Sequence, residues 1–112
     1  MKVEEKLTAP TSGNTDMKAY IYGYIFTSGS INPDNSSDGF TVSRLGTGEY
    51  KITFDTALPN SFYIVTATSF ANASPEVITL ANRNSGYFIL KSWKVSDASP
   101  QDTEFQFVVY KK

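Results

Sequence analysis

The residue types missing from this chain limit its chemistry as much as those present. None of the 112 residues is histidine or cysteine. Nucleophilic catalysis of the Ser-His-Asp or Cys-His type is thereby excluded, and so is zinc held by nitrogen and sulfur ligands. Carboxylates remain. A glycosidase needs two of them flanking one bond, yet the eleven Asp and Glu include no pair whose spacing marks convergence. They read as solvated surface acids, and the chain is expected not to be an enzyme. Gly46-Thr47-Gly48 lacks the helix that follows a phosphate loop and reads as a hairpin turn instead.

The segment Asp34-Asn35-Ser36-Ser37-Asp38-Gly39 has oxygen ligands at alternate positions and Gly at the sixth, like the first half of a calcium loop. Leu45 stands where the bidentate Glu is required, so the segment reads as an Asx-rich turn. No metal or cofactor is expected. The remaining candidates are polar and aromatic loop residues, which suit a sugar because rings stack on C–H faces while amides and carboxylates bind hydroxyls. They are Asn32, Asp34, Asn35, Asp38, Asn72, Asn82, Arg83, Asn84, Tyr87 and Trp93. Loops carry binding disproportionately, which ranks 28–38 and 81–86 first. Trp93 also reads as a packing residue, and Asn82-Arg83-Asn84-Ser85-Gly86 as a hairpin turn with Arg83 at its tip.

The elements that must carry these residues are strands. Aromatics make up 14% of the chain, mostly Tyr and Phe, a bias that suits pleated, half-buried surfaces. Strands are expected over 18–27, 39–45, 49–55, 62–70, 76–80, 86–93 and 103–110. No helical pattern lies between them, and no repeat is visible. The fold class is all-β: an antiparallel β-sandwich or jelly-roll-like domain of about seven strands over 18–112. Residues 1–17 are polar, include Pro10, Gly13 and Asn14, and read as an arm or linker.

With a net charge of −1 and only Arg44 and Arg83 as arginines, no clustered basic face is available for nucleic acid. No apolar run approaches the ~20 residues of a membrane span, and Met1-Lys2-Val3-Glu4-Glu5 does not read as a signal peptide. Neither nucleic-acid binding nor membrane insertion is expected, and synthesis in a cytosol is.

The run from Gly39 to Val65 is the most informative. Tyr50, Ile52 and Phe54 alternate strictly with Lys51, Thr53 and Asp55, as one buried face requires. Leu45-Gly46-Thr47-Gly48 and Leu58-Pro59-Asn60-Ser61 supply turn chemistry on either side. Gly46-Thr47-Gly48-Glu49-Tyr50-Lys51-Ile52-Thr53-Phe54, then Thr56-Ala57-Leu58-Pro59 and Tyr63-Ile64-Val65, resembles a recurrent pattern. That pattern belongs to the distal, C-terminal β domain of bacteriophage tail fibres and related virion structural proteins. Ala19-Tyr20-Ile21-Tyr22 stands where the family has an Ala-aromatic strand, usually with Trp, and Phe105 to Tyr110 stands where it has its last strand. The resemblance spans roughly residues 18–111 and is specific only over 46–65. It implies a virion structural module, made in the host cytoplasm, that trimerises and binds a host surface glycan or protein. It would join other virion proteins through its N-terminal arm. A structural cap, a head or baseplate decoration protein, and a carbohydrate-binding module without a virion role remain alternatives.

Several strands are apolar on both faces. Tyr20, Tyr22, Tyr24 and Phe26 oppose Ala19, Ile21, Gly23 and Ile25; Phe62 and Ile64 oppose Tyr63, Val65 and Ala67; Tyr87, Ile89 and Trp93 oppose Phe88 and Leu90. A sandwich strand buries one face, so the surplus predicts coverage by another subunit. Tyr20, Tyr22, Tyr24, Tyr63 and Phe88 are the expected interface residues.

Overall fold

Tyr50, Ile52 and Phe54, the alternating residues of the central strand, are all buried, while Lys51 and Thr53 between them face outward and are partly exposed. A computed structural model describes residues 17–70 and 76–112; residues 1–16 of the expected arm over 1–17, and Asn72, lie outside them.

Seven strands form: β1 (Lys18–Ile25), β2 (Phe40–Gly46), β3 (Glu49–Phe54), β4 (Ile64–Phe70), β5 (Glu76–Arg83), β6 (Tyr87–Lys94) and β7 (Glu104–Lys111). They make two antiparallel sheets packed as a β-sandwich. One has the order β1-β7-β4 and the other β2-β3-β6-β5. Only β2–β3 and β5–β6 are hairpins within a sheet; every other connection crosses from one layer to the other. The Pro59-Asn60 turn is one of these crossings, and Asn60 Oδ1 accepts the Phe62 N–H at 2.8 Å to set its exit.

The β2–β3 turn is tighter than the four residues expected. Strand pairing continues to Gly46 and Glu49, with a bulge after Arg44, so only Thr47 and Gly48 form the tip. Asp102 locks this tip from the β6–β7 crossing. It accepts the Gly48 N–H at 2.7 Å and pairs with the Arg44 guanidinium, whose Nη2 lies 2.9 Å from Oδ2. Partial burial pushes the Asp102 carboxyl up, but the Arg44 and Gly48 hydrogen bonds outweigh it and hold the group below its ordinary range.

The core is a chain of aromatic rings between the sheets. Phe40 packs edge-on to Phe107, Phe107 on Phe88, Phe88 on Phe54 and Phe54 on Tyr63, while Tyr50 packs at a tilt against Phe105. Tyr63 is 2% exposed and Phe88 is fully buried. Both were expected at a subunit interface, and the structure corrects this. Their faces of β6 and of the β4 approach are the ones turned inward, where each closes the core of its own chain.

Tyr20 departs from expectation for a different reason. A bulge between Ala19 and Ile21 breaks the two-residue alternation of β1. Tyr20 therefore leaves the row of Tyr22 and Tyr24 and packs against the core, edge-on to Phe54 at 5.9 Å. Tyr22 and Tyr24 do face outward, opposite the buried Ile21 and Ile25.

The sheet edges are treated unequally. The free edge of β1 is covered by the connection 26–39, where the Tyr22 and Tyr24 N–H groups donate to the Ser37 and Ser36 hydroxyls, each at 3.0 Å. By contrast, β4 and β5 pair on one side only and contain no buried residue. Between them runs a cleft lined by Val65, Thr66, Ala67, Ile78, Thr79, Leu80 and Leu90.

Candidate functional site

Outward-facing residues of the three-stranded sheet fall into register across its width. Tyr22 of β1 lies beside Val108 of β7 and Thr66 of β4; one step along, Tyr24 lies beside Gln106 and Thr68. Strand geometry sets the two rows about 7 Å apart and the three strands about 10 Å across. The 26–39 connection rises beside β1 and adds Asn35 as a wall. The resulting groove has a volume of about 540 Å³, within the range of small-molecule sites.

The wall is held in place by its own backbone chemistry. Asn32 Oδ1 accepts the Asp34 N–H and caps the 3-10 turn Pro33–Asn35, and the Asn32 N–H donates to Tyr24 O at 2.9 Å. Ser37 closes a ring of bonds with the Tyr22 backbone, its hydroxyl donating to Tyr22 O and accepting from Tyr22 N. Asn35 is thus carried on a turn tied to the same strand that carries the tyrosines.

The functional groups in the groove are neutral. Tyr24 donates its hydroxyl hydrogen to Glu104 Oε2 at 2.5 Å and packs edge-on to Phe26. The Glu104 carboxylate, first by this hydrogen bond, raises the Tyr24 pKa above its ordinary value. Tyr24 therefore stays protonated, with its oxygen lone pairs left to accept. Tyr22, 49% exposed, presents its ring to solvent. Asn35 and Gln106 bring amides, and Thr66 and Thr68 bring hydroxyls. No lysine or arginine lines the groove. The groove thus offers ring surface, amides and hydroxyls, with the Glu104 carboxylate engaged by Tyr24 at its end.

Of the residues singled out from the sequence, the structure brings Asn35, Tyr22 and Tyr24 to this groove. Tyr22 and Tyr24 were expected to contact another subunit. The other loop candidates are dispersed. Asp34 lies exposed on the 3-10 turn. Asp38 lines a shallow hollow with Ile31, Pro33 and Asp55. Both carboxylates there are exposed.

Arg83 and Asn84 are engaged in structure. Arg83 Nη1 donates to Tyr63 O at 2.8 Å, and Asn84 Oδ1 caps the β5–β6 turn by accepting from the Gly86 and Tyr87 N–H groups. This turn begins later than expected, since β5 continues to Arg83. Tyr87 lies under the Lys51 ammonium at 4.2 Å. Trp93, half-buried, bridges to Pro100 at the other end of β6. Six residue steps along the strand separate it from Tyr87, about 20 Å, so these candidates form no single site.

Thr66, Thr68 and Gln106 were missed. Each is the polar member of an alternating strand, which marks it as outward-facing, but nothing local shows that β4 and β7 are neighbours. Among the described residues, no three acidic groups are placed to share a cation, and no helix is long and apolar enough to cross a membrane. The chain matches no family model, no curated protein and no solved structure.

Proposed function

We propose that this chain is a non-catalytic virion structural module of the distal tail-fibre type. In this reading it is made in the host cytoplasm, trimerises, joins other virion proteins through its N-terminal segment, and presents a surface to a host receptor, glycan or protein. The resemblance over Gly46 to Val65 supports the kind of module. One observation carries the self-association: β4 and β5 each pair on one side only, and both carry exposed apolar side chains.

These are Ile64 and Phe70 of β4 and Val77 and Leu80 of β5, with Phe62, 78% exposed, leading into β4. Bare edges of this kind template pairing with other chains, and a closed ring of subunits covers them without open-ended growth. The subunit contact is therefore assigned to the β4–β5 side in place of Tyr63 and Phe88. Light scattering across a dilution series tests this. A stable particle of three times the 12.4 kDa chain mass is expected; a monomer at all concentrations overturns it.

A further inference from the structure

We propose that the groove across β1, β7 and β4 binds an uncharged saccharide, with Tyr22 as its stacking platform and Gln106 and Asn35 as its polar clamps. This deepens the attachment reading, on which its biological setting rests, but stands on the groove itself.

Three features select the ligand. The first is charge. No cation lines the groove, so nothing compensates a phosphate, sulfate or carboxylate. The one carboxylate at its end, Glu104, already accepts from Tyr24; a cationic ligand would have to compete with that bond. An uncharged occupant alone leaves every group in its preferred state.

The second is the balance of ring and polar surface. Tyr22 offers an exposed ring beside two threonine hydroxyls and two amides, each amide able to donate and accept at once. The amides of Asn35 and Gln106 and the hydroxyls of Thr66 and Thr68 are all exposed to water in the groove. A purely apolar occupant would strand these groups away from water at a cost in affinity. A pyranose, with C–H faces for the ring and hydroxyls around its rim, satisfies both at once.

The third is rigidity. The tyrosines stand on a strand paired on one side to β7 and stapled on the other by Ser36 and Ser37. Gln106, Thr66 and Thr68 stand on strands in fixed register with it. Groups held this way lose little freedom on binding. A second copy is the competing occupant, because the exposed Ile64 and Phe70 share the outward row of β4 with Thr66 and Thr68; the mass of the Gln106→Ala particle separates the two.

The test is a titration of the full-length 15N-labelled chain, read by amide shifts. The uncharged probes are maltohexaose, cellohexaose, laminarihexaose and N-acetylchitohexaose, followed by a printed array of neutral bacterial-type glycans; sialyllactose and a heparin hexasaccharide are the charged controls. At least one neutral glycan is expected to shift the amides of Tyr22, Tyr24, Asn35, Thr66, Thr68 and Gln106 together. Tyr22→Ala and Gln106→Ala are each expected to weaken that binding roughly tenfold, the loss of one good contact, while Tyr22→Phe retains most of it.

Absence of any neutral ligand across probes and array overturns the proposal. So does binding confined to the charged controls, or shifts that map to the Trp93 or Arg83 ends. A particle mass altered by Gln106→Ala also overturns it, by making the groove a subunit contact. The attachment reading fails separately: a monomer that still binds glycan keeps the groove and loses the trimer, and a trimer blind to glycans does the reverse.

Discussion

At Gly48 the backbone takes φ +68°, and an added Cβ would lie 2.6 Å from Ser92 O and 2.8 Å from Gln101 N. Both the left-handed conformation and the lack of space demand glycine here. Gly48→Ala is expected to cost at least about 1–3 kcal/mol from backbone strain alone, measured by urea denaturation, whereas Gly46→Ala, with open space around it, should cost less. Tyr50 and Tyr63 give a second residue-scale prediction. Each is buried to the hydroxyl, Tyr50 donating to Thr27 O and Tyr63 to Asn84 O, both at 2.8 Å. Desolvation pushes both phenols up from 10.0 to about 12. A raised folded-state value means that their contribution is whole below pH 10 and fades as pH rises toward 12. In an alkaline titration read at the tyrosinate band, these two should ionise last and together with unfolding. Tyr50→Phe and Tyr63→Phe should each flatten that final step; early ionisation of both in the folded protein would contradict it.

Strand edges separate the elements of this fold into protected and open. The outer edge of β1 is capped by the 26–39 connection through two serine hydroxyls, which both satisfies its N–H groups and fixes the groove wall. A hydrogen bond of this type contributes about 0.5–1.5 kcal/mol net. The double variant Ser36→Ala with Ser37→Ala is therefore expected to lose roughly 1–3 kcal/mol in denaturant unfolding. Amide hydrogen exchange at Tyr22 and Tyr24 should accelerate, while exchange at Val109, inside β7, should not. Unchanged exchange at the tyrosines would show that the connection protects the edge by other means.

Over the whole molecule, burial is lopsided. Sheet faces in the middle of the sandwich are closed by Phe40, Phe54, Phe88, Phe105 and Phe107, yet the β4–β5 side has no buried residue and keeps Phe70 and Leu80 in solvent. The subunit contact proposed for this side makes a specific forecast. Replacing Phe70 and Leu80 by Lys should convert a trimer to monomers in light scattering. Because neither side chain belongs to the core, the near-UV signal of the folded chain should remain. A trimer that survives both changes would move the contact elsewhere.

The alternation of Tyr50, Ile52 and Phe54, the turn residues around Gly48 and Pro59, and the absence of helical periodicity are local signals. They were enough to determine seven strands and an all-β sandwich. The lack of His and Cys likewise bounds the chemistry by composition alone. The site was far less legible. The bulge that turns Tyr20 inward carries no composition signal, and Tyr63 and Phe88 look like surplus apolar residues until the facing sheet covers them. Thr66, Thr68 and Gln106 come together only because β7 inserts between β1 and β4, a pairing between strands dozens of residues apart. Period and turn chemistry act over a few residues and are written in the sequence. Register and strand order arise from contacts across the chain, and only the tertiary structure decided them.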